Sequence, residues 1–531
     1  MQKYSAEYSA SQAWFFTEKI DDIIKFINFL IYYMIVSNFI WNFFQEIIIH
    51  SDNNPTKFSI LSYAYFQMLY NFGTLFEKNG VQSLDRVTPL KNRNEIKKSI
   101  ATSPKATRCD LLGTYLYIGH NAFLAKLYQD ATQLTTLDYG VKLMPISSKF
   151  LDNLIQYSQS HLSGKTLELE RAGFATKNTN GLPADYTGTN FTPTPNSKWE
   201  QLIVPTGAVK GTNNLPLIVP TNPASFKIQN FLGINFYKNA GFAVTPTKNI
   251  INLSSKISTT WENGLKTQTD LLLDIYKDLD DRKKVIAEFF AGSSKKALPP
   301  PGFFIIIAMQ LSQKYKQTMM NDLKMYFSLA GGLYDACVSA WYYKSTYNQA
   351  RPINLIRNYY ANQTLTSWTP LQTANPAPIP GKQWLPYQNF DFVTPPFPDV
   401  ASGHTTFSTV AAKLLNWWFK NPALYDGFTV VTIPNNIALC PSLNVNDKTV
   451  CIGEFIFDQG SSTIEPGVTP KERTVLQYKT LQDLADMAGL SRVYGGIHTF
   501  QTNNVSSELG DWVYNQSRQK LVTQFKFRSP Y

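Results

Sequence analysis

At 531 residues the chain is too long for one ordinary hydrophobic core, so several domains or one large helical assembly are implied. Hydrophobic residues at 44%, aromatics at 14% and charged residues at 16% describe a compact globular protein and exclude long disorder. The net charge of +11 attracts anions, but the longest basic run is only Arg282-Lys283-Lys284 and no spaced arginine/aromatic stripe accompanies it; small anions are favoured and nucleic acid is not.

From about Ala10 to Leu162 apolar residues recur at three and four residue spacing and Gly and Pro are sparse, which predicts helix after helix. Within it, Phe26 to Gln45 (FINFLIYYMIVSNFIWNFFQ) is uncharged for about the length a bilayer requires, but Asn28, Ser37, Asn38 and Asn42 interrupt it. A buried or peripheral helix is favoured over a span. Glu18, Asp21 and Asp22 precede the segment and no small-residue cleavage site follows, so it does not read as a signal peptide; a soluble or weakly membrane-associated protein is expected.

From about Gly164 the texture turns to Thr, Asn, Pro and Gly, predicting loops and turns. A second helical block runs from about Thr267 to Asn348, broken at Leu298-Pro299-Pro300-Pro301-Gly302 and resuming at Phe303. A Pro-rich passage, Thr369 to Pro398, precedes a helix beginning near Ser402, and the last helices are placed near Lys471 to Tyr494 and Val505 to Phe525. No strand alternation persists and no fixed-period repeat is present. The predicted fold is all-α, two helical bundles packed together: an N-terminal bundle over 1–163, a loop-rich connection over 164–265, and a C-terminal bundle over 266–531 that carries the active site.

The four cysteines, Cys109, Cys337, Cys440 and Cys451, form no CxxC pair and so neither a zinc site nor a disulfide scaffold. Cys440 and Cys451 flank a polar loop and are the one pair that an oxidising compartment could bridge.

Three segments carry chemistry. In the helix leading to WYYKSTYNQARPINLIR, the residues Leu323, Phe327, Ala330, Tyr334, Cys337, Trp341 and Lys344 fall on one face, so Lys344 continues an inward apolar stripe and needs an anionic partner. Arg351 follows two helical turns on, held to the helix end by Pro352, so the two cations can converge. In FPDVASGHTTF, Ser402 is a natural N-cap, Gly403 permits close approach, and the amides of the starting helix face an anion, with His404 in the first turn beside it. In AGLSRVYGGIHTF, Arg492 lies in the last turn of a helix, Gly495-Gly496 ends it, and His498 turns back toward the same ligand. Each segment alone has an ordinary reading: a snorkelling lysine, a capped helix, a C-cap with a surface histidine. Together they place two of only five histidines beside oxyanion-binding groups.

The set Lys344-x6-Arg351-Pro352, Ser402-Gly403-His404 and Ser491-Arg492-x3-Gly496-x-His498 resembles the three-part signature shared by vanadium-dependent haloperoxidases and the type 2 phosphatidic-acid phosphatase and acid phosphatase superfamily. With AEFFAG, PPPGFF and PPFPD, the likeness covers roughly Asp280 to Gly510 and points to the bacterial and fungal haloperoxidase branch. The resemblance implies vanadate as cofactor, with phosphate or another oxyanion able to occupy the site. His498 becomes the apical vanadium ligand, and Lys344, Arg351, Arg492, Ser402 and the Gly403 amide hold the equatorial oxygens. His404 becomes the acid/base, and Trp341 and Phe397 fall at halide-site positions, an aromatic at Phe397 resembling the chloroperoxidase type. Hydrogen peroxide and halide are then the substrates, hypohalous acid the product, and a homodimer a common assembly among relatives.

Two positions depart from the pattern. Ala401 stands where the family usually has Pro, and Thr502 where it usually has an Asp that supports the tautomer of the histidine, which weakens the expected His498 bond. Two other readings remain: an acid phosphatase with His498 as nucleophile and His404 protonating the leaving group, or a non-catalytic structural protein that has kept the fold.

Overall fold

The computed structural model describes residues 55–74, 197–205, 226–246, 254–291, 299–370, 375–432 and 449–524, apart from positions 230, 235, 259, 390 and 391. Most of the predicted N-terminal bundle, the Phe26 to Gln45 segment, Cys109 and Cys440 lie outside them. Among the described residues the protein is built of helices: α1 (Pro55–Thr74), α2 (Lys266–Tyr276), α3 (Asp281–Phe289), α4 (Pro300–Tyr315), α5 (Met319–Tyr347), α6 (Pro352–Tyr359), α7 (Gly403–Phe419), α8 (Leu481–Tyr494) and α9 (Phe500–Gln524). The all-α fold predicted from helical periodicity is the one observed. No described helix is long and apolar enough to cross a membrane.

The strands among them form short two-stranded ladders on loops rather than a sheet layer. Each pairs antiparallel with a single partner: β1 (Ile203–Pro205) with β2 (Phe226–Ile228), β3 (Thr364–Ser367) with β4 (Ala377–Pro380), β5 (Val430–Thr432) with β6 (Thr449–Cys451), and β7 (Glu454–Phe457) with β8 (Thr474–Gln477). Runs this short carry too few alternating residues to register as strands in a sequence.

The last helix, placed from Val505, starts at Phe500, and three other boundaries differ from the sequence reading for a local reason. The helix placed from Lys471 starts at Leu481, because Thr480 and Asp483 form a reciprocal capping box and Thr474–Gln477 pairs in β8 instead. The helix placed from Phe303 starts at Pro300: two of the three prolines occupy its first turn, where a missing N–H leaves no bond unmade. Arg351 does not end α5. That helix stops at Tyr347, Asn348 turns left-handed at φ 48°, and Arg351 is the extended N-cap residue of α6 with Pro352 at its first position.

The chain divides into two compact units, and every site residue named below lies in the one comprising Gln45–Gln67, Ser160–Leu311 and Met325–Tyr531. At its centre α7 packs on α8 and α9, and small residues set the spacing. A Cβ on Gly489 of α8 would come to 2.2 Å from Asn503 Oδ1, and one on Gly510 of α9 to 2.6 Å from the Thr409 Cβ. Aromatic rings fill the remaining space, with Tyr63 stacked on Tyr334 at 5.2 Å and Trp368 edge-on to Tyr387 at 5.0 Å. Cys337 is a buried free thiol, and the bridge considered for Cys440 and Cys451 falls on a residue, Cys440, outside the described residues.

Candidate active site

The inward face predicted for α5 is buried along its whole length, from Leu323 through Phe327, Ala330, Tyr334, Cys337 and Trp341 to Lys344. A wholly buried ammonium must be hydrogen-bonded, and Lys344 Nζ donates to the carbonyls of Pro398 at 2.7 Å and Asp399 at 3.0 Å. Burial and the neighbouring Arg351 hold it well below the ordinary ammonium range, while Asp399 pulls it up.

Arg351 is buried beside it and ties three segments together. Its Nε donates to Phe397 O at 2.8 Å, and its Nη1 donates to Ile497 O at 2.7 Å and lies 3.3 Å from His498 Nε2. Its Nη2 is buried with no hydrogen-bond partner among the described residues. Burial lowers even this guanidinium to about 10, against the pull of Asp399.

The Phe397 ring faces both cations, 4.9 Å from Lys344 Nζ and 5.2 Å from Arg351 Cζ, and packs on Trp341 at 5.0 Å. The Trp341 Nε1–H donates to Leu232 O at 2.8 Å, so this indole presents its carbon framework and not a donor.

Ser402 caps α7 as its position predicted: its Oγ accepts from the Thr405 amide at 3.3 Å and from Thr405 Oγ1 at 3.0 Å. Its own amide donates to Ser506 Oγ at 2.7 Å. A Cβ at Gly403 would reach 3.2 Å from the Phe407 ring and 3.6 Å from Trp341, which explains the glycine at this crossing. The Val400–Ala401 peptide is cis.

His404 is half-buried, and its Nε2 bonds to Phe290 O at 2.8 Å. A carbonyl only accepts, so Nε2 carries the proton and Nδ1 keeps the lone pair. Burial, then Arg492, push its pKa well down and keep the ring neutral. Arg492 is buried in the last turn of α8, its Nε donating to Ser491 Oγ at 3.0 Å and its Nη2 to Ala287 O. Helix α3 therefore supplies carbonyls that orient both: Ala287 for Arg492 and Phe290, its C-cap, for His404.

Gly495 caps α8 and Gly496 turns left-handed at φ 68°, which swings His498 back into the protein. Far from a surface residue, His498 is buried, and burial with Arg351, Lys344 and Arg492 keeps its ring neutral. Its Nδ1 bonds to Asp399 Oδ1. Asp399 is wholly buried; desolvation raises it to about 6, with Arg351 and Lys344 pulling it down.

The sequence did not single out Asp399, although it lies in the quoted PPFPD, three residues before Ser402. A buried carboxylate so close to a three-cation motif was the available signal. The carbonyls of Ala287, Phe290 and Ile497 carry no sequence signal at all, because every residue has one.

Three cations, one carboxylate, two neutral imidazoles and a helix N-terminus thus share one buried locus. Among the described residues no group of three or more His, Cys, Asp or Glu side chains could hold a metal cation. The donor set suits an oxyanion: a surplus of positive charge, an unpartnered guanidinium nitrogen and the N-terminus of α7.

Residues 324–526 match the sequence model of the VCPO second helical-bundle domain, a span that contains every one of these motif residues. This part of the chain is similar to that helical-bundle domain. The chain is also similar in structure to a bacterial vanadium-dependent chloroperoxidase. The apo-type structure gives a TM-score of 0.62 at 16% identity, covering 88% of this chain and 94% of that one. The holo-type gives 0.62 at 17%, covering 88% and 92%. At that identity the likeness shows the fold alone. No curated protein matches the sequence.

Proposed function

We propose that this protein is a vanadate-dependent peroxidase that oxidises halide with hydrogen peroxide to hypohalous acid. The observation that carries it is the pairing of a buried, neutral His498, whose Nε2 keeps its lone pair 3.3 Å from Arg351, with an Arg351 Nη2 that no group among the described residues satisfies. An anion with a central atom open to one imidazole fits both.

In this reading His498 Nε2 would bind the vanadium, and Lys344, Arg351, Arg492, the Ser402 hydroxyl and the Gly403 amide would hold its oxygens. Bound vanadate supplies a Lewis-acidic centre at which peroxide is activated for oxygen transfer to halide. Everything else is done by the chain. The cations stay fixed because backbone carbonyls hold them, so they need not reorganise as charge moves during reaction. His404 Nδ1, left unprotonated by the Nε2–H bond to Phe290, accepts the proton that peroxide gives up and returns it to the leaving oxygen. Trp341 and Phe397 provide an aromatic wall for halide, with Lys344 behind the Phe397 ring.

The neutral His498 with its carboxylate partner also suits a nucleophile, so phosphate-ester hydrolysis on the same atoms is the second reading. Metal-free protein should halogenate monochlorodimedone with peroxide only after orthovanadate is added, phosphate should compete, and His498→Ala should abolish the reaction. Hydrolysis of p-nitrophenyl phosphate without halogenation would make the site a phosphatase; failure of both reactions would leave a non-catalytic protein.

A further inference from the structure

His498 takes its carboxylate from an unexpected direction. Asp399 lies on the loop before α7, and Thr502 lies on the first turn of α9, four residues after the histidine. Asp399 Oδ1 meets His498 Nδ1, and Oδ2 accepts from Thr502 Oγ1 at 2.9 Å. The rest of Asp399 is equally constrained: its amide donates to Gln349 O at 3.0 Å and its carbonyl accepts from Lys344. Thr502 is set in turn by Thr499, its amide donating to Thr499 Oγ1 at 3.2 Å with the two hydroxyls 3.1 Å apart. All of these side chains are buried.

We propose that Asp399 is a positioning residue that fixes His498 as the Nδ1–H tautomer, with Thr502 orienting the carboxylate, so that Nε2 is kept as the acceptor facing the oxyanion site. The proposal rests on the oxyanion reading above.

A neutral imidazole carries one N–H, and a carboxylate at Nδ1 claims it. Without that acceptor the proton is free to move to Nε2, where an N–H would face the Arg351 Nη1–H at 3.3 Å and leave no lone pair to bond a ligand. The threonine then has a definite part. A second acid at position 502 would confront Asp399 across one histidine, two like charges in a buried space; a hydroxyl donates instead and leaves the carboxylate ionised. The departure at Thr502 and the acid at Asp399 are two halves of one arrangement.

The test uses the full chain labelled with 15N-histidine, with His498 assigned by comparison with His498→Gln, and reads two quantities at near-neutral pH: the ring tautomer of His498, and orthovanadate affinity by calorimetry. Wild type should show Nδ1–H. Asp399→Asn preserves shape; its oxygen stays with the Thr502 hydroxyl and its amide N–H faces Nδ1, so the proton should move to Nε2 and vanadate affinity should fall by about ten- to a hundredfold. Asp399→Ala should do likewise, and adding Thr502→Asp should restore both the tautomer and most of the affinity, which a merely structural role would not. An Nδ1–H tautomer and unchanged affinity in both Asp399 variants would overturn the proposal, as would a double variant that folds but regains neither quantity. If wild type binds no vanadate while its tautomer still depends on Asp399, the oxyanion reading fails and the positioning contact stands as a structural one.

Discussion

Lys344 Nζ donates to the Pro398 carbonyl at 2.7 Å, so a cation on α5 holds the loop that leads into α7. Together with the Asp399 carbonyl at 3.0 Å this fixes its position through backbone acceptors. Lys344→Met should therefore separate binding from stability. Removing a buried ammonium relieves its desolvation while two carbonyls lose a donor, opposing effects of about 1–3 kcal/mol each. The melting temperature should change little. Orthovanadate affinity, read by titration calorimetry, should fall at least about tenfold, since losing about 1.4 kcal/mol of attraction already does that.

Gly496 is irreplaceable on two counts. It sits at φ 68°, and a Cβ there would lie 2.3 Å from Tyr276 Oη and 2.8 Å from Pro386 Cβ. Tyr276 cannot give way cheaply, because its hydroxyl donates to Tyr494 O at 3.1 Å and accepts from the Tyr387 amide at 2.8 Å. Gly496→Ala should cost about 2–4 kcal/mol, combining left-handed strain with overpacking. His498 is two residues on, so denaturant unfolding and vanadate binding should fail together.

The pair Lys284 and Glu465 is bonded at 2.8 Å with both side chains nearly buried. Burial raises the Glu465 pKa, but the Lys284 charge and hydrogen bonds from Lys284, Thr469 and Trp368 outweigh it and the net shift is downward. A carboxyl lowered in the folded state contributes stability above its ordinary value of 4.5 and loses it as pH falls through the folded value. Glu465→Gln should cost about 3–5 kcal/mol at neutral pH by stranding Lys284, and the gap from wild type should narrow on acidification. Melting curves over an acid pH series check both.

Asp335 behaves in the opposite sense. Desolvation raises it from 3.8 to about 7, against hydrogen bonds from the Ala243 and Val244 amides and Ser517. A carboxyl raised in the folded state favours folding below its unfolded value and loses that contribution as pH rises through the folded value. The stability of Asp335→Asn relative to wild type should therefore improve steadily as pH rises from 3.8 toward 7, measured as the difference in melting temperature. A difference that declines over that interval would refute the assignment.

What the sequence made legible follows from how each contact is encoded. The inward stripe ending at Lys344, the Ser402 cap and the Gly495-Gly496 turn are local patterns, written within a few residues of one another, and the structure has all three. The turn between Tyr347 and Arg351 was misread, because continuing a helical period across Asn348 ignores a left-handed residue that periodicity does not register. Asp399 and its contact with Thr502 stayed hidden for a different reason. The contact joins residues 103 apart, and Asp399 is unremarkable in its own segment.

Arg351 binds Phe397, Ile497 and His498 at once, drawing on the loop before α7 and on the turn between α8 and α9. The pocket consequently has no existence apart from the folding of all these elements, and an oxyanion that binds it cannot bind the unfolded chain. Ligand and fold are then thermodynamically linked: at about a hundred times its dissociation constant, the bound anion adds about 2.7 kcal/mol to the stability of the entire unit, spread across helices it never touches.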